Sequence, residues 1–252
     1  MAVLLWGVLP YVTALVLIGG LIWRYRYDQF GWTTRSTQLY ESKLLRIASP
    51  LFHYSLFGVL AGHLVGLLIP KAWTDLVITQ DTYHAFALYG GSLAGIGTVV
   101  GIAMLIYRRR TTGPVFMATT ANDKVMYVVL AGAIVLGIWA TLTGDQTPDG
   151  HHHNYRETVS VWCRSLLIFQ PNVDAMAAST IQFQIHILVA FVLFMMIPFT
   201  RLVHAFTVPF HYLFRPYIVY RSRDSRPMTH TTGMKRAGWE PIGTPDRKRK
   251  AE

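Results

Sequence analysis

Cysteine is almost absent. Cys163 stands alone among 252 residues, which excludes an intrachain disulfide and any thiolate set for zinc or an iron-sulfur cluster. Charge is scarce as well: 14% of residues are Asp, Glu, Lys or Arg, against 52% apolar and 13% aromatic. That balance is too poor in charge for a typical soluble domain and usual for a small polytopic membrane protein. Acidic residues are few, 13 against 23 basic, giving a net charge of +10. The placement of the cations accounts for that excess with no nucleic-acid partner. The first apolar run follows Met1 without a basic n-region or a small-residue cleavage site, so it is expected to remain as a span and not to leave as a signal peptide.

What the chain does hold is five long apolar runs, at roughly 3–23, 47–70, 85–107, 125–143 and 181–203. Each suffices for a crossing at about 20 residues per span. The stretches 24–46, 107–124 and 201–252 carry 20 of the 23 basic residues, while 71–83 and 144–180 carry three basic against six acidic. The positive-inside rule then puts the N-terminus outside and the C-terminus in the cytoplasm. The expected fold is an all-α, five-transmembrane-helix bundle over residues 1–220, followed by a basic cytoplasmic tail over 221–252 that is disordered alone. Leu39, Leu44, Leu45 and Ile47, interleaved with Glu41, Lys43 and Arg46, suggest an amphipathic helix on the inner surface. Val159 to Phe169 is apolar but too short to cross, and suggests a helix in the outer interface anchored by Trp162. In the third run, Gly91 with Gly95 and Gly97 with Gly101 repeat a spacing that permits close approach to the helix backbone.

Four histidines lie on two of these runs: His53 and His63 on the second, His186 and His204 on the fifth. An ionisable ring in hydrocarbon needs a partner. The second and fifth spans run in opposite directions, so the pairing is crossed: His63 faces His186 near the outer side and His53 faces His204 near the inner side. Ten residues correspond to about 15 Å of helix and eighteen to roughly 27 Å. Tilt, leaning side chains or a bend at Pro198 must absorb the difference. Two axial histidines fill both open positions of a haem iron and leave it only electron transfer. Two such pairs would carry two haems.

The words around these residues resemble the cytochrome b (gamma) subunit of respiratory, membrane-bound nitrate reductase. They are Leu51-Phe52-His53, Gly62-His63 with Gly66, Gly90-Gly91, Ala118-Thr119-Thr120 with Asp123, and Pro198-Phe199-Thr200-Arg201-Leu202-Val203-His204 with Val208-Pro209, within roughly 10–220. The resemblance implies a subunit of the cytoplasmic membrane that oxidises a lipid quinol near its outer face. It implies that electrons pass inward to an iron-sulfur beta subunit and a molybdenum alpha subunit that reduces nitrate. It assigns His63 and His186 to a distal haem, and His53 and His204 to a proximal one. The run Asp81-Thr82-Tyr83-His84 departs from the family pattern as the loop leading to Gly90-Gly91.

Other residues carry narrower expectations. Arg201 is a candidate contact for a haem propionate or a stabiliser of the ligand segment, and Arg108-Arg109-Arg110 lie on the same side. As an alternative, that cluster snorkels to the interface. His84 is a candidate proton acceptor for quinol, with Lys71, Trp73 and Tyr83 as weaker ones, and Gly62 leaves room for a quinol or haem contact. His151, His152 and His153 read as a solvated loop, and His211 and His230 fall beyond the last span. The alternatives are the cytochrome b anchor of a formate dehydrogenase or hydrogenase, and a haem-free anchor or transporter whose histidines only bridge helices.

Overall fold

The computed structural model describes residues 1–28, 31–32, 36–144 and 153–207. The expected tail over 221–252, with His211, His230, His151 and His152, lies outside the described residues. Among the described residues there is helix and no strand. The α-helices are α1 (Leu9–Tyr27), α2 (Leu45–His63), α3 (Lys71–Thr74), α4 (Gln80–Thr111), α5 (Gly113–Met117), α6 (Ala121–Thr143), α7 (Val159–Leu167), α8 (Val173–Ala177) and α9 (Ile181–Met196). Five helical segments among the described residues are long and apolar enough to cross a membrane: Val3–Tyr27, Leu45–Leu68, Gln80–Thr111, Ala121–Thr143 and Ile181–Phe199. Two of them include π-helical turns, at Val3–Val8 ahead of α1 and at Leu64–Leu68 directly after His63.

Helix α2 packs chiefly on α4, α6 on α4 and α9, and α1 on α9. The backbones of α2 and α4 meet at Gly101, where a β-carbon would lie 2.7 Å from the backbone nitrogen and Cα of Phe52. Gly95, Gly97 and Gly101 of the third span therefore serve helix packing, Gly90 meets open space, and Gly101 sets α4 against the residue beside His53. Two apolar clusters fill the bundle. Phe52, Ile102 and Leu130 form one toward the basic end, while Trp6, Val159, Trp162, Met176 and Phe191 form the other toward the N-terminal end.

Several local expectations are corrected. Residues 38–44 run through turns, and α2 itself begins at Leu45, so there is no separate surface helix over 39–47. The reason is Glu41, whose carboxylate accepts the Leu44 amide at 2.7 Å and the Leu45 amide at 3.4 Å and so caps α2. These bonds, the Leu44 amide first and the Arg108 guanidinium after it, hold the Glu41 carboxyl below its usual range. Trp162 is no lipid anchor. It is 4% exposed, its indole N–H donates to the Trp6 carbonyl at 2.8 Å, and its ring meets Trp6 edge-on. Tyr83 and His84 belong to the first turns of α4, whose N-terminus is capped by Thr79, and not to a loop.

Candidate functional site

The fifth span does not reach His204 as one helix. It ends at Met196, passes through a 3-10 turn at Ile197–Phe199, breaks at Thr200 (φ −122°, ψ 179°) and resumes as a 3-10 segment over Arg201–Phe206. Pro198 begins the break, since it has no N–H for the helix. Gly20 on α1 makes room for it: a β-carbon there would lie 2.7 Å from Pro198 Cβ. The freed carbonyls find donors. Arg24, buried in α1, donates to Pro198 O at 2.6 Å and to Thr200 O at 3.3 Å, and Asn122 donates to Phe199 O at 2.8 Å. The fifth span is thus not the straight helix that a histidine spacing of roughly 27 Å assumes.

With the chain bent in this way, the four histidines form two pairs. His63 and His186 have ring centroids 6.1 Å apart toward the N-terminal end, and His53 and His204 have centroids 6.2 Å apart toward the basic end. A metal ion between two imidazoles, at about 2 Å per bond, separates the ring centres by roughly 6 Å. The ring nitrogens are arranged to suit such a use. Nδ1 of His53 donates to Ser49 O at 2.7 Å, Nδ1 of His63 to Val59 O at 2.8 Å, and Nδ1 of His204 to Arg201 O at 2.6 Å. A carbonyl can only accept, so each Nδ1 carries the proton and each Nε2 keeps a free lone pair. His186 differs in that its buried Nδ1 has no hydrogen-bond partner. Its ring lies against Gly137, where a β-carbon would come within 3.0 Å of His186 Cε1. The donor set and the spacing of both pairs thus fit bis-histidine haem.

The basic-end pair borders a cavity of about 560 Å³ that also meets Arg46, Arg109, Tyr127 and Arg201. Arg201 is committed to a buried ion pair: Nε donates to Asp123 Oδ1 at 2.8 Å and an Nη to Asp123 Oδ2 at 2.5 Å. Asp123 also completes a capping box with Thr120 at the start of α6. Arg201 is therefore placed to hold the His204 segment, through its side chain on α6 and its carbonyl on the His204 ring. The three-arginine cluster divides. Arg108 does not snorkel: it is 2% exposed, donates to the Thr37 hydroxyl and carbonyl and to the Glu41 carboxylate and carbonyl, and closes residues 37–41 over the cavity. Arg109 donates to the Tyr127 hydroxyl at 2.8 Å. Arg110 lies over the Phe116 ring.

At the other pair, an apolar cavity of about 360 Å³ is lined by Leu60, His63, Leu64, Leu67, Leu68 and Cys163. Gly62, next to His63, has open space where a β-carbon would stand, so it is free of helix packing. His84 is exposed, one residue from the buried Tyr83. Lys71 pairs with Glu157 at 2.5 Å, which raises its pKa, and Trp73 is exposed. His153 meets the Thr158 hydroxyl at 2.9 Å, and burial lowers its pKa. Sequence reasoning missed a polar stripe on and before α7. Arg156, Ser160 and Arg164, spaced by four, donate to Ile69 O at 3.1 Å, Gly66 O at 2.7 Å and Leu67 O at 3.1 Å. They satisfy the carbonyls of the widened turn that follows His63. The only sequence signal was that spacing of polar residues in an otherwise apolar run.

A family model described as nitrate reductase gamma subunit matches residues 2–223. The chain is 55% identical over 240 residues to the nitrate reductase-like protein NarX of Mycobacterium tuberculosis, covering 95% of this chain and 36% of that protein. It thus spans about a third of that relative's length. It is 38% identical over 222 residues to the nitrate reductase gamma chain of Bacillus subtilis, covering 88% of this chain and 98% of the relative. With the respiratory nitrate reductase 2 gamma chain of Escherichia coli it shares 30% identity over 222 residues, covering 88% and 97%.

Proposed function

The chain belongs to the nitrate reductase gamma subunit family, and from that premise we propose that it is a di-haem cytochrome b of the cytoplasmic membrane that oxidises quinol and delivers electrons to iron-sulfur and molybdenum subunits. The observation that carries the reading is the pair of histidine pairs, each with ring centroids near the spacing that one bridging iron requires. His63 and His186 would hold the distal haem, His53 and His204 the proximal one. When bound, the two haems supply one-electron carriers in series across the bilayer.

The protein's own groups supply the rest. The Nδ1–H bonds of His53, His63 and His204 fix the neutral tautomer and ring direction that an iron needs. Arg46 and Arg109 bring cations to the cavity beside the proximal pair, where propionates need them, and Arg201 holds the His204 segment through Asp123. The apolar cavity at His63 suits a lipid-soluble quinol ring, with the open side of Gly62 next to it. The basic residues Arg24, Arg26, Arg46, Arg108, Arg109 and Arg110 gather at one end of the spans, which supports a cytoplasmic placement of that end and an outward placement of the His63 pair. The partner subunits then dock on the cytoplasmic side, and the basic tail over 221–252 is available to them or to anionic lipid.

A haem-free bridge is disfavoured by the same bonds, because three of the four rings spend Nδ1–H on their own backbone and not on the facing ring. The test is a dithionite-reduced minus oxidised spectrum of membranes carrying the chain. Two b-type components are expected, with His63→Ala or His186→Ala removing one and His53→Ala or His204→Ala the other. A chain with no reducible b-type band would refute the reading.

A further inference from the structure

Building on the quinol-oxidising reading, we propose that the Tyr155 hydroxyl receives the proton of the bound quinol and that the Tyr155–Tyr83 pair carries it to the mouth of the bundle.

Tyr155 is placed by both histidine helices. On the second span its hydroxyl lies against Gly66, three residues beyond His63, where a β-carbon would come within 2.7 Å of Tyr155 Oη. On α9 its ring packs on Phe183, three residues before His186, with centroids 5.8 Å apart. The side chain therefore sits about one helical turn toward the N-terminal end of the bundle from both rings. A quinol filling the open side of Gly62, four residues before Gly66 on the same side of the helix, would have its oxygen toward Tyr155.

From there a polar path leads outward. Tyr155 Oη and Tyr83 Oη are 3.1 Å apart, and Tyr83 stands in the first turn of α4 next to exposed Asp81, Thr82 and His84. Arg156 lies behind the pair. It is 1% exposed, its guanidinium carbon is 4.0 Å from the centre of the Tyr83 ring, and it donates to Thr74 Oγ1 at 2.6 Å and to Ile69 O. Its Nε–H is buried with no hydrogen-bond partner. Burial, followed by the hydrogen bond with Tyr83, raises the Tyr155 pKa above its usual value, so Tyr155 stays protonated and gives a proton to Tyr83 as it takes one.

The step balances. For each proton, the quinol O–H bond breaks and its hydrogen joins Tyr155 Oη, while the Tyr155 proton passes to Tyr83 Oη and the Tyr83 proton passes to water beside the first turn of α4. Two such transfers convert quinol to quinone, and the two electrons leave singly for a ferric b-type haem, the one-electron acceptor of the proposed site. Both tyrosines end neutral.

The experiment uses membranes containing the haem-loaded chain and menadiol as the probe. Haem content comes from the dithionite difference spectrum, and the rate of haem reduction is followed against menadiol concentration in H2O and D2O. In Tyr155→Phe both b-type bands are expected at wild-type amplitude and wavelength. Its saturating rate should fall on the order of 10²-fold, and its half-saturation should rise only about fivefold, the loss of one neutral hydrogen bond. Tyr83→Phe should lower the saturating rate while leaving half-saturation unchanged, and alter the solvent isotope effect. Native bands with an unchanged rate and isotope effect in both variants would overturn the relay. Loss of the outer band in Tyr155→Phe together with an unchanged rate in Tyr83→Phe would also overturn it, by reducing Tyr155 to packing. If the wild-type haems are not reduced by menadiol at all, it is the quinol-oxidising reading that fails, and the two failures are thereby distinguished.

Discussion

Removing the Asp123 carboxylate should loosen the proximal pair and leave the distal one alone. Asp123 and Arg201 are both buried and joined by two bonds, at 2.8 and 2.5 Å. Taking away one member of a buried pair costs about 3–5 kcal/mol, because the other charge stays behind in a poor solvent. Asp123→Ala also dismantles the capping box at the start of α6, about 1 kcal/mol more. The loss falls on the segment whose Arg201 carbonyl orients His204 at 2.6 Å. About 4 kcal/mol raises the open population of that segment on the order of 10³-fold, and release of a group held there follows the open population. The assay is transfer of haem from detergent-solubilised protein to excess apomyoglobin, resolved into its two b-type components. The proximal component should leave at least about 10²-fold faster in Asp123→Ala, with the distal rate unchanged. Adding Arg201→Met should recover most of the loss, since removing both charges is far milder than removing one. Equal acceleration of both components, or a double variant no better than the single, would refute the reasoning.

Two further outcomes follow from the distal pair. Gly137→Ala places a methyl 3.0 Å from His186 Cε1, an overpacking of about 1–3 kcal/mol; a redox titration should show the distal potential moved and the proximal one unchanged, and the reverse pattern would be contrary. Burial raises the Cys163 thiol pKa, with Arg164 opposing only in part. Less of it is thiolate at pH 8 than in a free thiol, so iodoacetamide should modify it more slowly than N-acetylcysteine at that pH, the rate climbing as pH rises beyond 9. A rate equal to the free thiol's would contradict that placement.

The spans and the crossed histidine pairs were legible because both rest on local quantities, the length of apolar runs and the direction of successive helices. Arg108 and Trp162 were read as interfacial because a basic cluster and a short apolar run with one Trp ordinarily are. Their burial depends on Glu41 and Thr37, 67 and 71 residues away, and on Trp6, 156 residues away. No periodicity reports such partners. The break at Thr200 was foreshadowed by Pro198, but the donors that make it tolerable, Arg24 and Asn122, come from other helices. The tyrosine pair was invisible for the same reason: Tyr83 was singled out on its own, while Tyr155, 72 residues later, gave no signal.

The Nδ1 bonds have a consequence for the order of assembly. His53, His63 and His204 are each oriented by a carbonyl three or four residues earlier in their own turn. For His53 and His63, inside the second span, such a ring is aimed as soon as that turn forms, on the submicrosecond scale of helix growth, long before spans collect into a bundle; the His204 turn waits on Arg24 and Asp123 of other helices. His186 Nδ1 has no such local guide, and its ring lies against Gly137 on α6. Biogenesis of the distal site is thereby ordered: the second span arrives with its half already set, and the late-synthesised fifth span is aimed only when it closes against α6.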